Sequence, residues 1–279
     1  MVNAILDTLY ILVKSSSILL GFITVLYLLQ RLVSGLFLKL FGRSYTYLSA
    51  TIGVPIHELS HWFLCLLGGH KVTSVRLLKS PKHDGVFGYV THSYNRNSLY
   101  QEAMNFPIGI APLFGGVIVI ALLTKLMLPA SNSIFDLIYY SASSYRDVSG
   151  VVSFVSALHV DLNNLISILS EAADESPQMF YIWAYLTAAI SLHLSPSPAD
   201  MKGALKGGVI IVLLLTVLRW GFSWFEKDFT MILENFLISI SMVFSLCILM
   251  SLSLALLMMM LALVMTIIRY SIGFIFVRS

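Results

Sequence analysis

Five consecutive residues read His57-Glu58-Leu59-Ser60-His61, two histidines with a glutamate directly after the first. In a helix, residues four apart lie one above the other on the same face, so both imidazoles can bind one Zn²⁺ ion. The glutamate between them is then close enough to act as general base on a water molecule at that ion. The spacing therefore predicts the zinc ligands and base of a metallopeptidase. The alternative is a polar cluster that packs helices or relays protons.

The motif lies inside an apolar stretch, Tyr47–Gly68, of an apolar chain. Of its 279 residues 58% are hydrophobic and 11% charged, whereas soluble domains average about 25% charged residues. This composition predicts an integral membrane protein, in which ionisable groups at membrane depth are costly and usually functional. The net charge of +3 indicates membrane topology rather than binding to nucleic acid. The two cysteines, Cys65 and Cys247, lie in apolar segments and provide no disulfide framework or thiolate metal site to argue from.

A transmembrane helix needs about 20 predominantly apolar residues. Six windows of this kind are predicted: Ser16–Val33, Tyr47–Gly68, Ile108–Leu128, Met179–Leu194, Ala204–Phe222 and Phe236–Ile268. The last is longer than one crossing needs, so a hairpin there would make seven. The expected fold is an all-α polytopic membrane protein, with about six transmembrane helices and a small β-structured segment after the second.

Two loops connect the middle spans. The first, 69–105, contains β-branched and aromatic runs at Val72–Leu77 and Gly85–Val90 around a Pro/Asp/Gly turn, which predicts a hairpin. The second, 129–178, is Ser-rich and then acidic, and is expected to form one or two amphipathic helices. Because Lys and Arg concentrate in the first loop and around 196–206, the positive-inside rule puts these segments in the cytosol. The motif then faces the cytosolic side of a multi-pass protein, expected in the plasma membrane.

A catalytic zinc usually has three protein ligands and one open position. Two candidates for the third ligand, His193 and Asp200, flank the Pro-rich end of the fourth predicted span, which runs toward the same side as the second. Asp200 could instead be the N-cap of the next helix, and His193 a buried or interfacial histidine. Four other histidines fall in polar loops and are expected to be solvated: His70, His83, His92 and His159.

Taken together, these features resemble the site-2 protease family of intramembrane zinc metalloproteases. His57, Glu58 and His61 match the family's first motif. Its second motif, a Pro-rich break with an Asp ligand followed by Gly, is similar to the segment containing Pro196, Pro198, Asp200 and Gly203, and its middle core helix to Gly109–Gly116. The resemblance implies that His57, His61 and Asp200 hold Zn²⁺ and that Glu58 is the base. Here Met201 and Lys202 separate the aspartate from the glycine, which keeps His193 as a rival ligand.

The resemblance implies a zinc metalloendopeptidase that hydrolyses membrane-spanning substrates within or near the bilayer. It divides the chain into a first transmembrane helix with a connecting loop (1–46), a metalloprotease core (47–208) and C-terminal transmembrane helices (209–279). The expected partners are a transmembrane protein substrate, the lipid bilayer and a regulatory membrane protein, with no nucleic acid. The alternatives are a transporter or ion pathway that uses the His/Glu cluster, and a catalytically silent membrane-binding relative.

Overall fold

A computed structural model describes residues 21, 23–36, 38, 44–80, 86–146 and 150–223, with a few isolated positions elsewhere. This part of the chain is mostly helical and contains one two-stranded sheet. In chain order the elements are α1 (Ile23–Leu36), α2 (Ser44–Leu67), β1 (Lys71–Arg76), β2 (Tyr89–Ser93), α3 (Leu99–Gly109), α4 (Ala111–Met127), α5 (Ser131–Arg146), α6 (Val151–Glu175), α7 (Pro177–Ser191) and α8 (Pro198–Ser223). The predicted last span, 236–268, lies almost wholly outside the described residues.

The hairpin predicted after the motif helix is confirmed as the antiparallel pair β1 and β2. The second strand begins at Tyr89, however, late in the predicted run, and residues 86–88 lie outside it. Residues 86–88 approach α2 instead: a Cβ atom built on Gly88 would lie 2.7 Å from Val54 Cγ1 and 2.8 Å from Glu58 Cγ. The prediction was wrong at this end because the segment packs on the motif helix before it joins the sheet.

The third predicted span, Ile108–Leu128, corresponds to α4, and a further helix, α3, directly precedes it. α3 and α4 meet at Ile110 with a bend of 55°, and α3 begins within the segment predicted as a polar loop. Ser98 caps α3, since its side chain accepts a hydrogen bond from the Gln101 N–H at 3.3 Å. Pro112 lies in the first turn of α4, where its missing N–H would have no helical partner. Ser98 therefore accounts for the start of α3, and Pro112 favours the start of a new helix after Ile110.

The 129–178 segment folds into α5 and α6, which confirms the prediction of one or two helices there. α6 has 25 residues and is long and apolar enough to cross a membrane. Several of its apolar side chains are exposed, including Val152, Val155, Val160 and Ile166. An exposed apolar helix of this length is suited to contact with lipid.

Among the described residues, two helices are long and apolar enough to span a membrane. They are α6 and the Pro198–Leu218 part of α8, and the bent pair α3–α4 makes a third if it is counted as one span. α2 has the length, about 36 Å at 1.5 Å per residue, but it is not among these candidate spans. These helices agree with a membrane protein.

The apolar core lies between α4 and α7. Trp183 of α7 is fully buried and donates its indole N–H to Thr124 Oγ1 of α4 at 3.0 Å, so its polar atom is satisfied inside the core. Apolar side chains surround it, among them Leu26, Leu113, Ile120, Ile134, Leu165, Ile190 and Leu194. This packing holds α4 and α7 together beside α2.

α8 crosses α3 at close range because glycines line the crossing. A Cβ atom on Gly207 would lie 2.8 Å from the Ala103 carbonyl oxygen, and one on Gly109 would lie 2.6 Å from the Asp200 carbonyl oxygen. Only glycine lets the two backbones come this near. Gly203 has nothing within 4 Å of its Cβ position. The crossing brings the first turn of α8, with Asp200, next to the motif helix.

Candidate metal centre

The two histidines of the motif share one face of α2, as their spacing predicts. The Nε2 atoms of His57 and His61 are 3.2 Å apart, and the ring centroids are 4.9 Å apart. His61 is 6% exposed, and His57 is partly buried. Two imidazoles at this separation, both with Nε2 directed to the same point, can coordinate one ion.

A backbone carbonyl orients each ring through its other nitrogen. His57 donates its Nδ1–H to the His193 carbonyl oxygen at 2.7 Å, and His61 donates its Nδ1–H to the Ile108 carbonyl oxygen at 2.7 Å. A carbonyl oxygen can only accept, so the proton lies on Nδ1 and the Nε2 lone pair is free to bind a metal. Partners of this kind fix the tautomer and the direction of metal-binding histidines. The sequence motif contained no signal for either carbonyl.

Asp200 is brought to the same point by α8. Its carboxylate oxygens lie 3.7 Å from His57 Nε2 and 3.5 Å from His61 Nε2. Ser197 and Asp200 also form a reciprocal cap: the Ser197 N–H donates to Asp200 Oδ2 at 2.7 Å, and the Asp200 N–H donates to Ser197 Oγ at 3.2 Å. The N-cap of α8 is therefore Ser197, and the alternative that Asp200 itself is the N-cap is wrong. The Ser-x-x-Asp spacing is the sequence signal for this arrangement.

The donor set fits a zinc ion. A tetrahedral zinc with ligand bonds of about 2.0–2.1 Å separates its donor atoms by about 3.3–3.4 Å. The three observed separations between His57, His61 and Asp200 are 3.2, 3.5 and 3.7 Å. Two neutral imidazoles and one carboxylate are also a ligand set that catalytic zinc uses, with a fourth position left open.

Glu58 is held beside this centre by the segment that leads into β2. Its side chain is 7% exposed, and the backbone of Gly88 lies directly against it, with the Cβ position 2.8 Å from Glu58 Cγ. The same position is 3.0 Å from the Arg76 carbonyl oxygen of β1. The hairpin and α2 thus enclose the glutamate between them, which shields it from solvent and restricts its rotamers.

His193, the rival third ligand, lies differently. Its Nε2 is 3.2 Å from Ser49 Oγ, and its ring packs against α2 at Gly53, where a Cβ atom would come within 2.9 Å of His193 Cβ. Its backbone carbonyl, and not its imidazole, contacts His57. In this structure the group that could hold a metal consists of His57, His61 and Asp200, and the His193 imidazole is not part of it.

The prediction that the loop histidines are solvated is wrong for His70 and His92. His70 is 4% exposed and stacks on Tyr94 with ring centroids 4.9 Å apart. His92 is partly buried, and this burial together with the facing His70 lowers the pKa of His92 below its usual value. His159 is exposed as predicted, and His83 lies outside the described residues.

In comparisons with known proteins, no family model matches the chain, and no curated protein or solved structure does either. The resemblance to the site-2 protease family therefore rests on the motifs of the sequence itself. The arguments for function that follow depend on the chemistry of this centre: two oriented imidazoles, a carboxylate from a distant helix and a buried glutamate beside them.

Proposed function

We propose that this chain is an intramembrane zinc metalloendopeptidase of the site-2 protease type. The observation that carries the proposal is the meeting of His57 and His61 with Asp200, a residue more than a hundred positions away in the sequence, at separations of 3.2–3.7 Å. A cluster that only packs helices would not need both Nε2 lone pairs and a carboxylate directed to one point. A zinc site does need this.

In the proposed mechanism His57, His61 and Asp200 would hold the ion, and the carbonyls of His193 and Ile108 keep the two imidazoles in the binding tautomer. When bound, zinc supplies a Lewis acid that lowers the pKa of water toward about 7 and stabilises the oxyanion. Glu58 accepts the proton of the attacking water and delivers it to the departing amine nitrogen. The backbone of Gly88, which packs against Glu58, keeps the carboxylate in position for both proton transfers.

The proposed setting is a multi-pass protein of the plasma membrane, with six spans and the centre toward the cytosolic side. The exposed apolar surfaces of α6 and α8 support a lipid environment. α6 is not among the six predicted windows, so counting it as a crossing would raise the number to seven. The predicted span 236–268 lies almost wholly outside the described residues. The basic residues of the β1–β2 segment support its cytosolic placement.

The proposed substrate is a transmembrane protein. Carbonyls within a helix are engaged in hydrogen bonds, so a transmembrane substrate must unwind locally before its peptide bond is attacked. An unwound segment can pair with an edge of a sheet, and in the part of the chain that the structure describes β1 and β2 pair as strands only with each other. A regulatory membrane partner, or the α5–α6 segment, would control access.

The test compares wild type with Glu58→Gln in the cells that make it. Gln keeps the size and hydrogen-bonding capacity of the side chain but cannot accept a proton. Quantifying newly formed protein N-termini in the membranes should give termini within or beside predicted transmembrane segments that require wild-type enzyme. Zinc content of the two purified proteins should be equal. Identical sets of termini, or wild-type protein purified without chelator that carries less than roughly a tenth of stoichiometric zinc, would contradict the proposal.

A further inference from the structure

A second group of metal-binding side chains lies at the far end of α2. It consists of Cys65 in the last turns of that helix, His70 in the connection to β1, and His92 in β2, with one donor atom of each within 4.8 Å of the others. Cys65 and His70 are buried, and His92 is partly buried. None of the three belongs to the centre formed by the motif, and the sequence alone indicated no thiolate site.

The hydrogen bonds of His70 direct a lone pair into this group. Its Nε2–H donates to the Gln101 carbonyl oxygen at 2.9 Å, and because that oxygen can only accept, the neutral ring is unprotonated on Nδ1. Nδ1 faces His92 Nδ1 at 3.0 Å. A backbone carbonyl on the remote nitrogen is the arrangement that orients a histidine for a metal. It is also the arrangement found at His57 and His61 in the first centre.

We propose that Cys65, His70 and His92 form a second metal site, which takes Zn²⁺ through one thiolate and two imidazoles. Bond lengths of about 2.0–2.1 Å to nitrogen and 2.3 Å to sulfur separate the donors of a tetrahedral site by about 3.3–3.6 Å. The Nδ1 atoms of His70 and His92 are 3.0 Å apart, and all three donor atoms lie within 4.8 Å of one another. These separations are compatible with a tetrahedral zinc ion bound between them. Thiolate and imidazole donors together favour zinc over hard ions such as Mg²⁺ or Ca²⁺.

The position of the second site on α2 indicates its role. His57, His61 and Cys65 follow one another at intervals of four residues, so they lie along one face, each about 6 Å further along the axis. Paired catalytic ions lie about 3.5–4 Å apart, so the second ion is set too far along the helix to act with the first on one peptide bond. It would instead join α2 to β2, and through His70 to the first turn of α3. The ion would thus fasten the β1–β2 hairpin to α2. Gly88, directly before β2, is the residue of this hairpin that packs against Glu58.

The test uses the full-length protein purified in detergent without chelator, with zinc counted per chain and cobalt exchanged in as a spectroscopic probe. A thiolate bound to Co²⁺ gives charge-transfer absorption in the near ultraviolet, which the sulfur-free first centre cannot give. We expect two zinc ions in wild type and one each in His57→Ala and Cys65→Ser. The charge-transfer band should be present in wild type and in His57→Ala, and absent from Cys65→Ser. Cys247→Ser, which changes the chain's other cysteine, is the control and should keep the band.

Wild-type protein alone can overturn the proposal, so the result does not depend on every variant folding. One zinc ion per chain with no charge-transfer band after cobalt loading would mean that a direct hydrogen bond between His92 and His70 accounts for the group without metal. A band that persists in Cys65→Ser would overturn the assignment of the thiolate. The outcome is separable from the proposed function, because loss of the first centre in His57→Ala leaves the second site to be counted by itself.

Discussion

Replacing Asp200 with Asn would separate the two roles that its side chain has in the structure. The carboxylate faces His57 and His61 at 3.7 and 3.5 Å, and it also accepts the Ser197 N–H at 2.7 Å in the cap of α8. Asn retains an oxygen for the cap, since Asn and Asp are comparable in capping, but it removes the negative charge offered to the metal.

The expected magnitudes follow from these contacts. Changing an outer-shell partner of a metal ligand costs about 10–100-fold in metal affinity, so loss of one of only three protein ligands should cost more than about 100-fold. This corresponds to about 2.8 kcal/mol or more, since each tenfold is about 1.4 kcal/mol. The metal-free protein should lose little stability, because the cap is kept.

Ser197→Ala is the matched control at the same helix end. It removes the hydroxyl that accepts the Asp200 N–H and leaves the carboxylate in place, so the metal-free fold should lose about 1 kcal/mol. Its zinc affinity should change by less than about tenfold, below the range for an outer-shell partner, because the Ser197 backbone N–H that contacts the carboxylate remains. The assays are zinc titration against a competing chelator, and thermal unfolding of the metal-free protein in detergent.

Asp200→Asn should therefore lower zinc affinity with little change in stability, whereas Ser197→Ala should lower stability with little change in zinc affinity. An Asp200→Asn protein that binds zinc within tenfold of wild type and still cleaves substrate would refute the ligand assignment. The capping geometry alone would then explain why an aspartate occupies this position.

Three further predictions test the surroundings of the centre. Gly88→Ala should destabilise the fold by about 1–3 kcal/mol and lower cleavage while zinc content stays unchanged, because its Cβ would come within 2.8 Å of Glu58 Cγ; unaltered activity and unfolding temperature would count against the packing described. His193→Ala should keep the zinc, since only the backbone carbonyl of His193 contacts His57, and loss of metal from a folded variant would restore its imidazole as a ligand. Glu58→Gln should keep zinc and lose turnover, and an active variant free of contaminating peptidases would remove Glu58 as the base.

Patterns within a few residues carried most of what could be predicted from the sequence. The shared face of His57 and His61 follows from helical periodicity, which depends only on neighbours along the chain. The hairpin follows from alternating β-branched residues around a turn, and β1 begins one residue before the predicted Val72. The Ser-x-x-Asp spacing at the start of α8 is itself a local signal for Ser197 as the N-cap.

Contacts between distant segments were decided by the tertiary structure. Asp200 lies beside His57 and His61 because α8 crosses α3 at close range. The glycines Gly109 and Gly207 permit this close crossing. The cover of Glu58 by Gly88, and the grouping of Cys65 with His70 and His92, join residues from different elements. Periodicity along the chain does not predict such contacts, because they depend on how whole helices pack against one another. The sequence by itself therefore determined that His57 and His61 share one helix face, and the packing determined which distant carboxylate lies beside them.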